Sequence, residues 1–553
     1  MKSPIERLTS TIHQHKLLSV IGFILIVIVF VVLFWAIFPN RAPAWTGFGS
    51  TNLEQGVSPA KTAWNWLGLL LIPAAIVLAS FWWSRTQRIT ELETTKNALE
   101  QTVYEGYIAQ FTSLLLERNL ATSREEDEIR MIARALTANA LRNVDAARKG
   151  QIISFLYDST LLNVGNPIVN LRRLDLAEAD LSKLYLVEVG FQGAQLDQAS
   201  LTEANLSSSD LRSAELPGAD LSNANLTGAY LRGANLQATD FSDAELVGAT
   251  FSKANLTDAN LRGANLENAN LNDANLSGAD LSGANLRGAK LRNAILVKAK
   301  LEGAVLSMAN LNHADMSEAD VSLSTLDGAN LSRVSATNAK FQKSSFSGAV
   351  MNDISMPGAN LRMADLSMAN LRGASLNATN LQEAHLRDAI LGRANLSGAI
   401  LKGAKLNRAN LSLANLRGAD LSKAVLKDAG LSGADLRSTI LRGANCRGSV
   451  LRGAILGGAD LRSSDLSMAN LRWGNLTNAN LRGADLSGAD LSEAVVTSEQ
   501  LATAKSLEGA IMPDAGQPQK SQVEVETGEP EQSPQNDGQQ VVEAPQAEEE
   551  QAT

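Results

Sequence analysis

Cysteine, histidine and aromatic side chains are scarce in this chain of 553 residues. It has one cysteine, Cys446, and aromatic residues make up 5% of it. A single cysteine excludes a disulfide framework within the chain. The four histidines (His13, His15, His313 and His385) are too scattered to favour a metal site. We therefore expect neither a metal ion nor a cofactor, and a core that is not built on mixed aromatic packing.

Motifs of catalysis are missing as well. No nucleophile–base pair, phosphate-binding glycine loop or cluster of metal ligands stands out along the sequence. The many Asp residues lack the glycine-rich nonapeptide pattern of calcium-binding β-rolls. The sequence therefore predicts a protein without enzymatic activity.

A five-residue repeat, by contrast, fills more than half of the chain. From Leu171 to Val496 an apolar residue occupies every position whose number ends in 1 or 6, without insertion or deletion. The unit is Ala, then Asp or Asn, then Leu, then a polar residue, then often Gly. A period of five fits neither the period of a strand nor that of a helix. Identical stacked units predict a solenoid that buries its core between neighbouring coils.

Within each unit we expect the central Leu and the Ala two residues before it to point inward, and the other three residues to point outward. Only a small residue fits beside Leu in so narrow an interior. One unit exchanges the two volumes, because Ala336 is central there and Val334 precedes it. Asp or Asn suits a turn, since its side chain can bond nearby backbone amides. Gly eases the corner that follows.

These units resemble the pentapeptide-repeat family, whose A-[DN]-L-x-x pattern recurs throughout residues 171–496. The resemblance implies a mainly β fold, a right-handed quadrilateral β-helix with four units per coil. Some members of the family imitate duplex DNA and inhibit topoisomerases.

Two long apolar runs precede the repeat. Residues 17–38 and 64–83 contain no charged side chain, and the first run would form a helix of roughly 33 Å. They predict a transmembrane hairpin; a cleaved signal peptide is the alternative for the first run. Cations flank the outer ends of the pair, so the N-terminus (1–16) is predicted to be cytoplasmic and the loop (39–63) to face outside. The repeats would then lie on the cytoplasmic side of a bacterial inner or plasma membrane.

Residues 84–165 are charged and have helical periodicity, which predicts a helical neck. A first helix should continue to Leu116. A second should begin at Ser123, whose spacing to Glu126 is that of a capping box, and end near Gly150. A third amphipathic piece should cover residues 152–162. The neck either packs as a seal on the first coil or serves as a sensing or dimerising domain.

This neck and the preceding loop are similar to those of bacterial, membrane-anchored pentapeptide-repeat proteins with an N-terminal transmembrane hairpin. The resemblance implies no assigned activity. The matching residues are Trp45-Thr46-Gly47-Phe48-Gly49, Leu114-Leu115-Leu116, Ala133-Arg134-Ala135, Arg148-Lys149 and Phe155-Leu156-Tyr157.

The end of the repeat calls for a cap, because the open end of a β-solenoid is an unpaired edge. Residues 497–514 are predicted to supply it. Thr497 and Gln500 have the spacing of a second capping box, before a short helix over residues 501–504. Residues 507–514 would fold over the last coil. The acidic tail, residues 515–553, is rich in Gln, Glu and Pro, a composition that predicts disorder.

Charge is distributed unevenly along the repeats. Residues 171–280 hold 16 acidic and 7 basic side chains, whereas residues 281–482 hold 14 acidic and 25 basic ones. With four units per coil, Arg442, Arg462 and Arg482 would stack on one face, with Lys402 further back. We interpret these four residues as a candidate interaction strip for an acidic protein or anionic lipid, with an ordinary solvated face as the alternative.

The leading hypothesis is therefore a membrane-anchored scaffold that presents a rigid repeat rod to a protein partner. The alternative is a regulator that inhibits a DNA-binding enzyme by mimicking duplex DNA. Mimicry needs a strongly negative rod, and the distal repeats are basic. Nucleic acid is disfavoured as a partner, because the whole chain carries a net charge of −9 and the strip lacks interleaved aromatic residues. The sequence identifies neither the partner nor the oligomeric state.

Overall fold

The computed structural model describes residues 63–162 and 167–513, and the chain divides after Leu156 into two units. The predicted N-terminus (1–16), the first predicted span (17–38) and the tail (515–553) lie outside the described residues. So does the loop (39–63), except for its last residue.

The first unit begins with α1, a helix of 54 residues over Ala63–Leu116. It ends where the sequence predicted, because Asn119 adopts a left-handed conformation (φ 53°) that starts the 3₁₀ turn Leu120–Thr122. The second predicted span, 64–83, is thus helical. Across the part of the chain that the structure describes, however, no helix combines the length and the apolar character needed to cross a bilayer.

Two shorter helices follow, α2 over Glu128–Arg142 and α3 over Ala146–Asp158. The prediction that one helix runs from Ser123 to near Gly150 is wrong. The Ser123 hydroxyl donates to the Leu120 carbonyl (2.6 Å) and accepts from Arg130 Nε (3.2 Å), so it does not cap α2. Asp127 is the residue before the helix instead.

The boundary between α2 and α3 was also mispredicted. The Asp145 carboxylate accepts from the Arg148 backbone N–H (2.9 Å), which is the bond that a side chain makes when it caps a helix start. A new helix therefore begins at Ala146 rather than at residue 152, and it ends at Asp158 rather than at residue 162.

The C-terminal half of α1 packs against α2 and α3 through an aromatic cluster. Phe111 is fully buried, with its ring centroid 5.2 Å from that of Tyr107 and 6.0 Å from that of Phe155. The Tyr107 hydroxyl lies 3.1 Å from Thr137 Oγ1, and burial raises the pKa of this phenol above its ordinary value. Arg148 reaches back to Glu100, with its Nη1 3.4 Å from Oε2.

In the second unit, the residue before each central position forms a parallel bridge to the equivalent residue of the next coil. The series runs without a break from Asp175↔Gln195 to Asn475↔Val495. The step from Asp175 to Gln195 spans four repeat units, which confirms the predicted number of units per coil. The backbone bonds between coils are equally regular: Leu266 N donates to the Asn285 carbonyl at 2.7 Å, and Asn285 N donates to the Ala264 carbonyl at 3.0 Å.

Each corner is a tight turn whose third residue has a positive φ. The amide of Ala269 donates to the Leu266 carbonyl (3.0 Å), and Asn268 between them has a φ of 57°. This arrangement is typical of a type II turn, which favours Gly or Asn there. The Asn or Asp before the central residue closes the corner from outside, as Asp220 Oδ1 accepts from the Ser222 amide at 2.9 Å. The predicted roles of both residue types are confirmed.

The interior is a stack of central Leu and Ala side chains, as predicted. Leu266 and Ala264 are completely buried, and so are the exchanged pair Val334 and Ala336, at 1% and 0% exposed. Where Thr replaces Ala, its hydroxyl finds a backbone acceptor: Thr239 Oγ1 donates to the Leu216 carbonyl at 2.8 Å. A buried hydroxyl is tolerated when it is bonded in this way.

At the distal end, the predicted capping box forms. Thr497 accepts from the amide of Gln500, whose side chain accepts from the amide of Thr497, and the helix α4 spans Ser498–Ala502. The segment predicted to fold over the last coil instead extends the ladder, because Ser506 pairs with Asp485 and Ile511 with Asp490. The step along the chain is one position longer here than elsewhere in the ladder. The coil that contains α4 accommodates this addition.

Candidate interaction surface

The fold leaves three residues of every unit outside, at the bridge position and at the two corner positions. Because each coil consists of four units in unbroken register, outward side chains at equivalent positions of successive coils form a column along the rod. Neighbouring side chains in a column are separated by one coil, roughly 4.8 Å. A partner therefore meets columns of side chains on a backbone that holds their spacing fixed.

The predicted strip occupies one such column. Lys402, Arg442 and Arg482 are exposed, and Arg462 is partly exposed, with 40% of its side chain accessible. Ser422 occupies the coil between Lys402 and Arg442, so the cationic run consists of the three arginines, and a gap of one coil separates them from the lysine. The structure thus places all four residues in line without bringing the lysine next to the arginines.

One carboxylate neutralises part of this strip. Arg462 binds Asp460 through two nitrogens, Nε at 2.8 Å and Nη2 at 2.6 Å, and Arg442 Nη2 lies 3.6 Å from the same carboxylate. The hydrogen bond from Arg462 holds the pKa of Asp460 below its ordinary value. Two of the three arginines therefore share one negative charge, which weakens the strip as a site for an acidic partner.

A second cluster, which sequence reasoning missed, lies on a different corner. Two guanidinium groups lie against the Trp473 indole, with Arg452 Cζ 4.2 Å and Arg472 Cζ 4.4 Å from its ring centroid. Glu493, one coil further, accepts from the indole N–H and pairs with Arg472 at 2.8 Å. We call Arg452, Arg472, Trp473 and Glu493 the Trp473 corner. The same one-coil spacing that revealed the strip connects residues 452 with 472 and 473 with 493.

The Trp473 corner is exposed although it contains a large aromatic ring. Trp473 is 40% exposed and has a φ of 61°, an unusual conformation for a bulky residue. Hydrogen bonds from Arg472 and from the indole hold the pKa of Glu493 below its ordinary value. Two cations over an aromatic ring, with a carboxylate bound at the edge of the ring, form a surface suited to acidic groups.

Other chemistry is not apparent in the described ranges. Among those residues no group of His, Cys, Asp and Glu side chains is arranged to hold a metal ion. The single thiol, Cys446, lies at a central inward position, and burial raises its pKa to about 12. It therefore packs as a small apolar side chain.

Comparison with known families gives a direct match for the rod. The model of pentapeptide repeats matches overlapping segments from residue 191 to residue 497, which is more than half of the chain. A comparison with curated proteins by sequence finds no match.

Among solved structures, the chain is similar to HetL from the cyanobacterium Nostoc sp. strain PCC 7120, a pentapeptide-repeat protein involved in the regulation of heterocyst differentiation. The two are 35% identical over 47% of this chain and 90% of HetL, with a TM-score of 0.17. A trypsin-treated form of QnrB1, a plasmid-mediated fluoroquinolone resistance protein, is 18% identical over 33% of this chain and 91% of its own, with a TM-score of 0.31. A pentapeptide-repeat protein from the thylakoid lumen of Arabidopsis thaliana is 25% identical over 25% of this chain and 72% of its own, with a TM-score of 0.11.

Proposed function

Because the chain belongs to the pentapeptide-repeat family, we propose that it is a non-catalytic interaction protein that presents its rod to a protein partner. The observation that carries this proposal is the set of fixed outward columns. Each corner residue is held by the backbone bonds of two neighbouring coils, as Gly453 N donates to the Arg472 carbonyl at 2.8 Å. Rigid presentation lowers the entropic cost of ordering a binding surface.

We also propose that the predicted hairpin anchors this protein in a membrane, with the repeats on the cytoplasmic side. The two uncharged runs, residues 17–38 and 64–83, support the anchor because each is long enough to cross a bilayer core as a helix. Large apolar side chains of α1 are exposed in the isolated chain, among them Val77 at 66% and Phe81 at 66%. Arg85 and Arg88 follow the second run, where the positive-inside rule places cytoplasmic cations.

Reporter fusions at Ser50 and after Arg88 test the anchor. The proposal expects the first reporter outside the membrane and the second one in the cytoplasm. Equal sidedness of the two reporters would exclude the hairpin, and recovery of the full chain in the soluble fraction without detergent would exclude the anchor.

Partner binding is tested on membranes solubilised in detergent. The partner is first captured with the whole chain as bait. Binding is then measured with the triple variant Arg442→Gln, Arg462→Gln and Arg482→Gln, in which only outward residues change. A matched control, Arg232→Gln, Arg292→Gln and Arg372→Gln, removes the same charge from another column.

If the strip binds the partner, only the first triple variant weakens binding, and it also reduces the salt dependence of what remains, because exposed charges are screened over about 8–10 Å at physiological ionic strength. If the two triple variants weakened binding equally, the loss of net positive charge, and not the strip, would be the cause. Unchanged binding in both would exclude the strip.

The alternative, inhibition by duplex mimicry, requires a continuous negative surface. The excess of basic residues over positions 281–482 does not supply one. The distal columns favour an acidic protein surface instead.

A further inference from the structure

The net negative charge of this protein comes from its C-terminal segment. Ten of the 58 acidic residues, but only one of the 49 basic residues, lie after residue 513. The remaining chain therefore holds 48 of each, so residues 514–553 account for the whole net charge of −9. Within this segment Val523-Glu524-Val525-Glu526 alternates apolar and acidic side chains.

The register of the ladder shows where this segment starts. Asn470, Asp490 and Ile511 pair in succession, so they form one column. Arg472 and Trp473 follow Asn470 directly around the corner, and Glu493 follows Asp490 in the same way. The chain thus leaves the ladder at Ile511 on the Trp473 corner, about two coils or ~10 Å beyond Asn470.

The C-terminal segment is long enough to fold back onto the Trp473 corner. Glu524 lies eleven positions beyond Pro513, and a chain of that length spans up to about 36 Å. Arg452 lies three coils before the last rung, at about 14 Å. A segment tethered so close to a surface meets it at a high effective concentration.

The Trp473 corner already binds one carboxylate and has a guanidinium left for another. Glu493 occupies Arg472 and the indole N–H. Arg452, whose Cζ lies 4.2 Å from the centroid of the same ring, is exposed and makes no ion pair with any residue in the described part of the chain. Val450, in the same unit, is 41% exposed and Leu413, three coils before Trp473 on this corner, is 58% exposed. Acidic and apolar groups in alternation match this surface.

We propose that the acidic C-terminal segment docks within its own chain on the Trp473 corner, with Val523–Glu526 against Arg452 and the indole. This docking requires neither the membrane anchor nor an external partner. It would make the segment a competitor for any acidic partner that binds the same corner. The strip at Arg442 and Arg462 is a weaker alternative, since Asp460 partly neutralises it and, among the described residues, no cation–aromatic contact is found there.

The experiment uses the full chain with a bimane fluorophore on the variant Val525→Cys. Contact with an indole quenches bimane, and the label should avoid Cys446, which is buried with a raised pKa. We expect quenching that is lost in Trp473→Phe, in Arg452→Gln with Arg472→Gln, and at about 1 M salt, where the screening length falls to about 3 Å. The other six tryptophans precede residue 84, so the Trp473→Phe comparison isolates the relevant ring.

Two controls keep the result specific. Arg442→Gln with Arg462→Gln removes two guanidinium groups from the neighbouring strip and should leave the quenching unchanged. Labelled Trp473→Phe protein mixed with unlabelled protein that retains Trp473 should show no quenching, because docking is within one chain. Equal fluorescence with and without Trp473, quenching that appears only in the mixture, or release only by the strip variant would each overturn the proposal.

Discussion

The helical unit and the repeat rod respond differently to the same kind of local signal. In the rod, an Asp or Asn before the central residue bonds the next corner in coil after coil, as Asp220 does with the Ser222 amide. In the helical unit, a capping motif at Ser123 and Glu126 is present in the sequence but unused, because Ser123 bonds Leu120 and Arg130 instead. A local motif is dependable when its neighbours are the same at every occurrence. It is much less so when it occurs once, in surroundings of its own.

The strongest test of the rod is a charge in its interior. Leu266→Asp would bury an unpaired carboxylate between coils, and we expect a loss of several kcal/mol in stability. Thermal unfolding followed by circular dichroism should show a much lower midpoint than in the matched outward change Asn255→Asp. If both variants melt like the parent, the assignment of inward positions is wrong.

A comparable test of the helical unit removes one partner of a buried hydrogen bond. Thr137→Val leaves the Tyr107 hydroxyl buried without its acceptor, and we expect a cost of about 1–3 kcal/mol. Tyr107→Phe removes the hydroxyl itself, while Thr137 keeps its bond to the Ala133 carbonyl (2.8 Å), so it should cost less. Denaturant titration of the two variants measures the difference. A larger loss in Tyr107→Phe would contradict this account of the α1–α2 contact.

The corner geometry can be tested with two glycines of different conformation. Gly453 has a φ of 66° and nothing within 4 Å of an added Cβ, so Gly453→Ala isolates backbone strain, at about 1–2 kcal/mol. Gly392 has no positive φ, and Gly392→Ala should be neutral or stabilising by up to ~1 kcal/mol. Melting midpoints of both variants give the comparison. Similar losses at the two positions would mean that the positive φ is not what the corner requires.

The smallest expected effect concerns acid. Arg462 lowers the pKa of Asp460 in the folded protein below its ordinary value of 3.8. The unfolded state therefore binds the proton first, so this contribution to stability is full above that value and is lost as pH falls through the lowered one. Melting curves of the parent and Asp460→Asn between pH 6 and pH 2 should converge at the acid end. A constant difference across the range would show that ionisation of Asp460 does not contribute.

The sequence predicted the rod closely because the same residue pattern recurs in every unit, so each unit checks the interpretation of the others. Inward Leu266 and Ala264 and the volume exchange at Val334 and Ala336 follow from periodicity, and four units per coil follow from the resemblance to the pentapeptide-repeat family. The helix boundaries at Arg142 and Ala146 depend on a single Asp145 cap. The extension of the ladder at Ser506 and Ile511 requires a coil that is one position longer than four units, which a strict five-residue period does not suggest.

Of the two candidate surfaces, only one could be predicted from the sequence. The arginine strip could be predicted, since its members share one position in the unit and recur once per coil. The Trp473 corner combines two adjacent positions, with Arg452 and Arg472 at one and Trp473 and Glu493 at the next. Its members differ in residue type, so a search for one residue type at one position of the repeat unit does not find them. Only the stacking of indole on guanidinium reveals that they act together.

The uniform step of four units per coil also restricts how such a protein can change length. Insertion of a whole coil would lengthen the rod and leave every downstream column in line with those upstream. Insertion of a single repeat unit would instead rotate everything beyond it by a quarter turn, so that Trp473 would face a different side from the residues now aligned with it. Gain and loss of sequence by duplication should therefore favour multiples of four units wherever a partner touches both ends, and single units only where the two ends act independently.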